Sequence, residues 1–245
     1  MTAMLAAVDA LVWAALDTVL DPELDQPITE LGFVRSVAID DTGVTVHLRL
    51  PTAFCSPNFA YLMASDAVDA LRLVEGIGEV RVLLDDHHDS DKINAGLAAD
   101  AGYLGTFGSE AVESLDELRK TFQRKAHTAA MERCVVGAIR AGRCTPENMH
   151  RLTLRDLPDG DEKSALLRRR FTIGLSTCAN SRVLVDEDGR PLRPEQAPMR
   201  LRFARSVRIS IEGNAHFCRG LLATRYGEKD TSATQFTNTR TRSPR

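Results

Sequence analysis

The chain has 245 residues and a mass of 26.9 kDa, with 43% hydrophobic and 27% charged residues, which suits a soluble globular protein of one large domain or two small ones. Aromatics make up only 5%, with Trp13 the single tryptophan, which argues against aromatic stacking platforms as the dominant feature, and no apolar run approaches the ~20 residues of a membrane helix. The net charge of −3 is uneven: residues 1–91 carry 16 acidic and 4 basic side chains, a balance of −12, whereas residues 92–245 carry a balance of +9. This puts a seam near residue 90. Dispersal of the basic residues among helix formers favours attraction between the halves, or to a partner, over nucleic-acid binding.

The first half predicts the order helix, strand, strand, helix, strand. Leu5, Val8, Val12, Leu16 and Val19 recur at helical spacing, and the helix must end before Asp21-Pro22. Phe33 to Ile39 has strand composition, Asp40-Asp41-Thr42-Gly43 signals a hairpin turn, and Val44, Val46, Leu48 and Leu50 alternate with polar residues until Pro51. Ser56-Pro57 opens a second helix, with serine placed to cap and proline at the first helical position. That helix runs to Gly76, and Val80, Val82 and Leu84 make a third strand. The prediction is an α/β fold: a small α-β-β-α-β domain over 1–90 with a three-stranded mixed sheet.

Residues 91–226 predict a mainly helical accessory domain with a few strands. Glu110 to Ala141 reads as one long helix or two, with Ser114 and Glu117 as a capping box. Thr145-Pro146-Glu147 opens a short helix, and Asp161 to Gly174 reads as another. Val183-Leu184-Val185 and Val207, Ile209, Ile211 read as strands, and Asn214 to Tyr226 as a closing helix. Residues 227–245 are polar and unpatterned, the composition of a disordered tail.

Five cysteines, odd in number and without a CxxC pair, argue against a zinc ribbon or a secreted disulfide scaffold and for a reducing cytoplasm; the N-terminus also lacks the build of a signal peptide. Cys55 stands between a strand end and a helix start, where unpaired backbone N–H groups and the helix dipole favour a thiolate that ligates metals or acts as a nucleophile. The alternative is a cysteine buried as a small hydrophobe. Asp21 before proline forms an Asx-type turn or acts beside Cys55. Asp85-Asp86-His87-His88-Asp89 reads as a solvated linker or, with Cys55, as a shared metal site through His87 or His88. Adjacent histidines point apart, so one faces a given ion. Parallel pairing of the second and third strands would bring their ends to one edge. His216-Phe217-Cys218 reads as a packed helix start, Cys134 and Cys178 as core, Cys144 as exposed, and Arg168-Arg169-Arg170 as a solvated helix face. Phosphate-binding glycine loops, nucleophile elbows and paired catalytic carboxylates are absent.

Asp21-Pro22-Glu23-Leu24, Ile28-Thr29-Glu30-Leu31-Gly32-Phe33-Val34, Leu50 followed five residues later by Cys55, and Val74-Glu75-Gly76-Ile77-Gly78-Glu79-Val80 together resemble the SufT/PaaD-type metal–sulfur cluster assembly family. The resemblance covers roughly residues 5–85. It implies a non-catalytic maturation factor that handles iron or an iron–sulfur cluster transiently, with Cys55 as the reactive cysteine and Asp21 and Glu23 as the acidic motif. The family usually reads Thr-x-x-x-Cys-Pro, whereas here the order is Pro51-Thr52-Ala53-Phe54-Cys55-Ser56-Pro57. The second half resembles longer forms associated with bacterial soluble di-iron monooxygenases, which implies an oxygenase subunit as client.

Three readings follow. One is a metal–sulfur or iron maturation factor acting on a client metalloenzyme through Cys55. A second is a metal-free folding adaptor for an oxygenase subunit or a chaperone, carried by the charged helical half. The third is a metallohydrolase using His87, His88 and Asp89, for which the spaced ligands are missing. The first is preferred. One cysteine is too few for a cluster that takes four ligands, so a cluster at Cys55 needs a homodimer, an added thiol or a partner.

Overall fold

A computed structural model of the chain describes residues 2–110, 115–227 and 235–240, the side chains of residues 2–7 and 110 apart. Its contacts divide into two compact units, residues 1–115 with 214–245, and residues 116–213. The composition had placed the boundary near residue 90 and carried the second part to 226.

In the first unit, α1 (Thr2–Asp17) buries Val12 and Leu16, four residues apart on one face. A short ladder of β1 (Leu20–Asp21) and β2 (Gln26–Pro27) follows. β3 (Val34–Ile39) and β4 (Gly43–Arg49) form the expected antiparallel hairpin. Its turn is fastened by Asp40 Oδ1, which accepts the N–H groups of Thr42 and Gly43. α2 (Pro57–Arg72) buries Ala60, Tyr61, Met63, Ala64, Ala67, Val68 and Leu71, and leads to β5 (Glu79–Asp85), which runs parallel to β4. Gly43 is required where the strands meet, because a Cβ there would stand 1.9 Å from the Glu79 carbonyl oxygen.

The sheet has four strands rather than three, in the order β5-β4-β3-β6. The fourth, β6 (Gln235–Asn238), comes from the segment predicted as a disordered tail and pairs parallel with β3. Its one apolar residue, Phe236, lies 6.4 Å from the Trp13 ring, and Arg240 donates to the carbonyls of Asp40 and Ile77. Backbone pairing to an open sheet edge needs no apolar periodicity, so the sequence pattern does not announce it. The rest of that tail lies outside the described residues.

α3 (Ser90–Ala98) and α4 (Gly102–Phe107) also belong to the first unit. Tyr61, Tyr103 and Phe107 form a ring cluster with centroids 5.1–5.8 Å apart, and Tyr103 donates to Asn58 Oδ1 at 2.6 Å. This aromatic anchoring to α2 is why the unit continues past residue 90.

The second unit contains α5 (Leu115–Arg140) from residue 116, α6 (Asp161–Thr172) and the part of α7 (Ala197–Tyr226) up to residue 213. Ala130, Met131, Cys134, Val135, Leu166, Val183 and Leu184 are among its buried core. Glu132 is buried with Arg208 at 2.6 Å. Of the predicted capping box, Ser114 lies outside the described residues.

Several expectations are corrected here. Val207, Ile209 and Ile211 are helical, since Ala204, Ile211, Ala215 and Leu222 form the buried stripe of α7 and Ile209 is exposed. Val183–Val185 is buried beside isolated bridges at Arg182 and Val185, without a strand. The helix predicted at Thr145 is a single 3-10 turn, Met149–Arg151. Cys178 is exposed and Cys144 buried, the reverse of the reading from pattern. Arg170 is buried, with its guanidinium donating to the carbonyls of Ser176 and Arg182. No described helix is long and apolar enough to cross a membrane.

Candidate functional site

Because β4 and β5 are parallel, the loops that leave them emerge at the same sheet edge. The β4–α2 loop carries Cys55 and the β5–α3 loop carries His87 and His88. They are tied by two hydrogen bonds: His87 Nε2 lies 2.8 Å from the Cys55 carbonyl oxygen, and the His88 N–H donates to Ala53 O at 2.8 Å. The other ring nitrogen of His87, Nδ1, accepts the Asp89 N–H at 3.1 Å, so Nε2 carries the proton and both nitrogens are engaged. His87 is buried, whereas His88 is exposed and stacks obliquely on Phe54, centroids 5.9 Å apart. The adjacent histidines do point apart. The segment from Asp85 to Asp89 is not a solvated linker, since Asp85 pairs with Arg35 and His47 at 2.9 Å each and His87 is enclosed.

Cys55 is half-buried at the mouth of this loop, two residues before α2. Ser56 adopts an extended N-cap backbone, but its hydroxyl makes no capping bond; its carbonyl instead accepts the N–H groups of Phe59 and Ala60. Thr52, which the family pattern places one residue farther from the cysteine, brings its hydroxyl to 3.5 Å from Cys55 Sγ and accepts the Phe54 N–H. Phe54 itself is 82% exposed, a large apolar ring held in solvent beside the thiol.

Asp21 closes an Asx-type turn: Oδ1 accepts the N–H groups of Glu23 and Leu24 at 2.9 and 2.8 Å. It is buried, being 7% exposed. Burial raises its carboxyl from 3.8 to about 6, against the two backbone hydrogen bonds that lower it. Glu23 Oε1 accepts from Asn214 Nδ2 at 3.2 Å.

That last contact leads to residues the sequence reading did not select. The end of α7, residues 214–226, belongs to the first unit and reaches from the Asp21 turn to the β4 and β5 ends. Arg219 donates to Gln26 near its start, and Arg225 donates to the carbonyls of Leu50 and Asp86 near its end. The buried Arg49 guanidinium lies 5.0 Å from the Tyr226 ring. Between these anchors stands Cys218, half-buried in the middle of a helix rather than at a helix start. Burial, and then the charges of Asp21, Cys55 and Glu23, push its thiol up to about 11. His216 is exposed. No spacing in the sequence links Cys218 to Cys55; only the path of α7 does.

Among the described residues, no three His, Cys, Asp or Glu side chains are arranged to hold a metal ion. The edge where β4 and β5 end carries the half-buried Cys55 thiol and the exposed Phe54 ring, and Asp21 and Cys218 belong to the same unit. The family described as iron–sulfur cluster assembly protein matches residues 9–84, which run from α1 through the Asp21 turn and Cys55 into β5. An uncharacterized protein of Methanocaldococcus jannaschii is 35% identical over 81 residues, 33% of this chain and 83% of that protein. No solved structure matches.

Proposed function

From the premise that the chain belongs to the iron–sulfur cluster assembly protein family through its residues 9–84, we propose that it is a non-catalytic maturation factor that passes iron or an iron–sulfur cluster to a client metalloenzyme through Cys55. The observation that carries this reading is the position of Cys55. Its thiol lies half-open at the edge where β4 and β5 end, on a loop fastened by His87 and His88, so a soft cargo atom can reach sulfur without unfolding the unit. A few protein ligands suit a transfer site, because the remaining coordination positions of the cargo stay open to donor and acceptor. In this reading the cluster or iron is a substrate, and the protein's residues only hold and release it.

The resemblance of the first half to the SufT/PaaD type makes that subgroup our choice within the family. Its longer forms point to a di-iron monooxygenase subunit as the client. Phe54, exposed beside the thiol, is suited to meet the client during transfer. His87 acts as a positioning residue in this reading, since both of its ring nitrogens serve the loop.

The test is transfer itself. Cys55→Ser should abolish maturation of the client in cells that express both, while circular dichroism and melting stay those of the wild type. A variant that is folded and matures its client normally would leave Cys55 idle and return the metal-free folding adaptor as the better account.

A further inference from the structure

The second unit encloses an arginine whose charge no described side chain balances. Residues 116–213 carry 20 basic and 13 acidic side chains, so the unit as a whole is cationic. Two of its part-buried arginines are answered by acids: Arg208 meets Glu132 and Glu212 at 2.6 Å each, and Glu187 and Asp186 offset the burial of Arg200. Arg170, on α6, is 1% exposed, more enclosed than either, and has no carboxylate within ion-pair distance among the described residues. Its Nε donates to the Ser176 carbonyl at 2.7 Å and its Nη1 to the Arg182 carbonyl at 3.0 Å, while Nη2 makes no hydrogen bond among the described residues. Carbonyls supply dipoles and no net charge, so burial lowers this guanidinium from its ordinary value with no acid to oppose it. A buried cation left in that state is costly, and an anion removes the cost.

Arg170 lines a cavity of about 370 Å³ between α6, the segment from Ser176 to Arg182 and the turn at Gly189. Thr153, Ser176, Asn180, Ser181 and Arg182 supply the rest of its polar lining, and no acidic side chain lines it. The walls are fixed by backbone contacts, since Thr153 bridges to Arg182, Val185 bridges to Pro191 and the Leu154 N–H donates to Ser181 O at 3.0 Å. Carboxylates near these walls are already engaged. Asp156, which feels Arg182, has its Oδ2 taken by the N–H and hydroxyl of Thr153. Asp186 Oδ1 accepts the N–H groups of Asp188 and Arg190, and Asp188 pairs with Arg190. Donors remain on the cavity side. The Ser176 and Ser181 hydroxyls lie 2.8 Å apart, so one donates to the other and the second keeps a proton for a ligand. The Asn180 carboxamide is exposed and makes no hydrogen bond among the described residues.

We propose that this cavity binds a small phosphate ester, with its oxyanion against the guanidiniums of Arg170 and Arg182 and its polar body against Ser176, Ser181 and Asn180. Two guanidiniums on one cavity suit a dianion, and their planar forks match phosphate oxygens. The volume is that of a small-molecule site, and hydroxyl and amide donors suit a hydroxyl-bearing ligand better than an apolar one. The site belongs to the second unit alone and is independent of the reading of Cys55.

The experiment titrates the full chain, labelled with ¹⁵N, with ribose 5-phosphate, inorganic phosphate and ribose at constant ionic strength. The ester should bind one equivalent and shift the amides of residues 176–182 and 189; inorganic phosphate should shift the same amides more weakly, and ribose should shift none. Arg182→Gln should weaken ester binding by more than about tenfold. Asn180→Ala removes an exposed, unbonded side chain without disturbing the fold, and should weaken the ester while leaving inorganic phosphate unchanged. Arg202→Gln, at an exposed arginine that does not line the cavity, should titrate as wild type. Equal losses in Arg182→Gln and Arg202→Gln would reduce the binding to diffuse attraction and overturn the site. Inorganic phosphate binding as tightly as the ester would overturn the ester as ligand. Should Arg182→Gln fail to fold, the wild-type shift map decides: shifts scattered over the unit, or none at millimolar ester, overturn the proposal.

Discussion

Replacing Asp21 by asparagine should stabilise the first unit at neutral pH and lose that advantage in acid. The native carboxyl is 7% exposed, and burial raises it from 3.8 to about 6. A folded-state value above the unfolded one means that the folded unit holds the proton more tightly. The charged carboxylate therefore opposes folding fully above about pH 6, and this cost fades as pH falls toward 3.8. The difference between the two values corresponds to about 3 kcal/mol, an upper bound on the gain. Asparagine keeps an oxygen to accept the Glu23 and Leu24 N–H groups, so the Asx turn survives and only the charge is removed. Glu23 and Cys218, which face Asp21, are present in both proteins and cancel in the comparison. Urea unfolding followed by tryptophan fluorescence suits the purpose, because Trp13 is the single tryptophan and lies in the first unit. At pH 7.5 the variant should be more stable by roughly 2–3 kcal/mol, and the two curves should converge near pH 4. A gain that does not vary with pH, or a loss at pH 7.5, would refute the reasoning.

In the second unit the sign is opposite. Burial, followed by Arg170, Arg200 and Arg169, lowers His127 from 6.5 to about 4, and its Nε2 has no partner among the described residues. Neutral His127 thus contributes stability that is complete above pH 6.5 and lost as pH falls toward 4, up to about 3 kcal/mol. Hydrogen exchange of α5 amides should show this loss in wild type and lack it in His127→Leu. Alkylation of the native chain at pH 7.5 should mark Cys178, which is exposed, and spare Cys134, whose buried thiol is pushed up to about 12; early labelling of Cys134 would contradict its enclosure. Truncation after Gly227 removes β6 and should destabilise the first unit by roughly 1–3 kcal/mol, with a red shift of Trp13 emission as Phe236 leaves it. An unchanged melt and spectrum would mean that β6 adds nothing.

The main elements of the first 85 residues are locally determined, because each carries its period and its stops, whereas the two-residue ladder of β1 and β2 carries no such pattern. Valines and leucines at helical spacing make α1, alternation makes β4, Asp40 to Gly43 makes the turn, and Pro57 starts α2. Parallel pairing of β4 and β5 then follows from a helical crossover, and with it the meeting of Cys55 and His87 at one edge. The rest was decided by contacts between segments distant in sequence. Gln235 to Asn238 is a strand only because β3 presents an open edge, and its composition has no pattern of its own. Val207, Ile209 and Ile211 alternate as a strand would, but burial of Ala204, Ala215 and Leu222 selects the helix. Helix and strand periods are both compatible with so short an apolar run, and packing chooses between them. The end of α7 returns to the first unit for the same reason: its place is set by the anchors of Asn214, Arg219 and Arg225, and no local rule relates a late helix to the Asp21 turn or to the loop after the second strand of the hairpin.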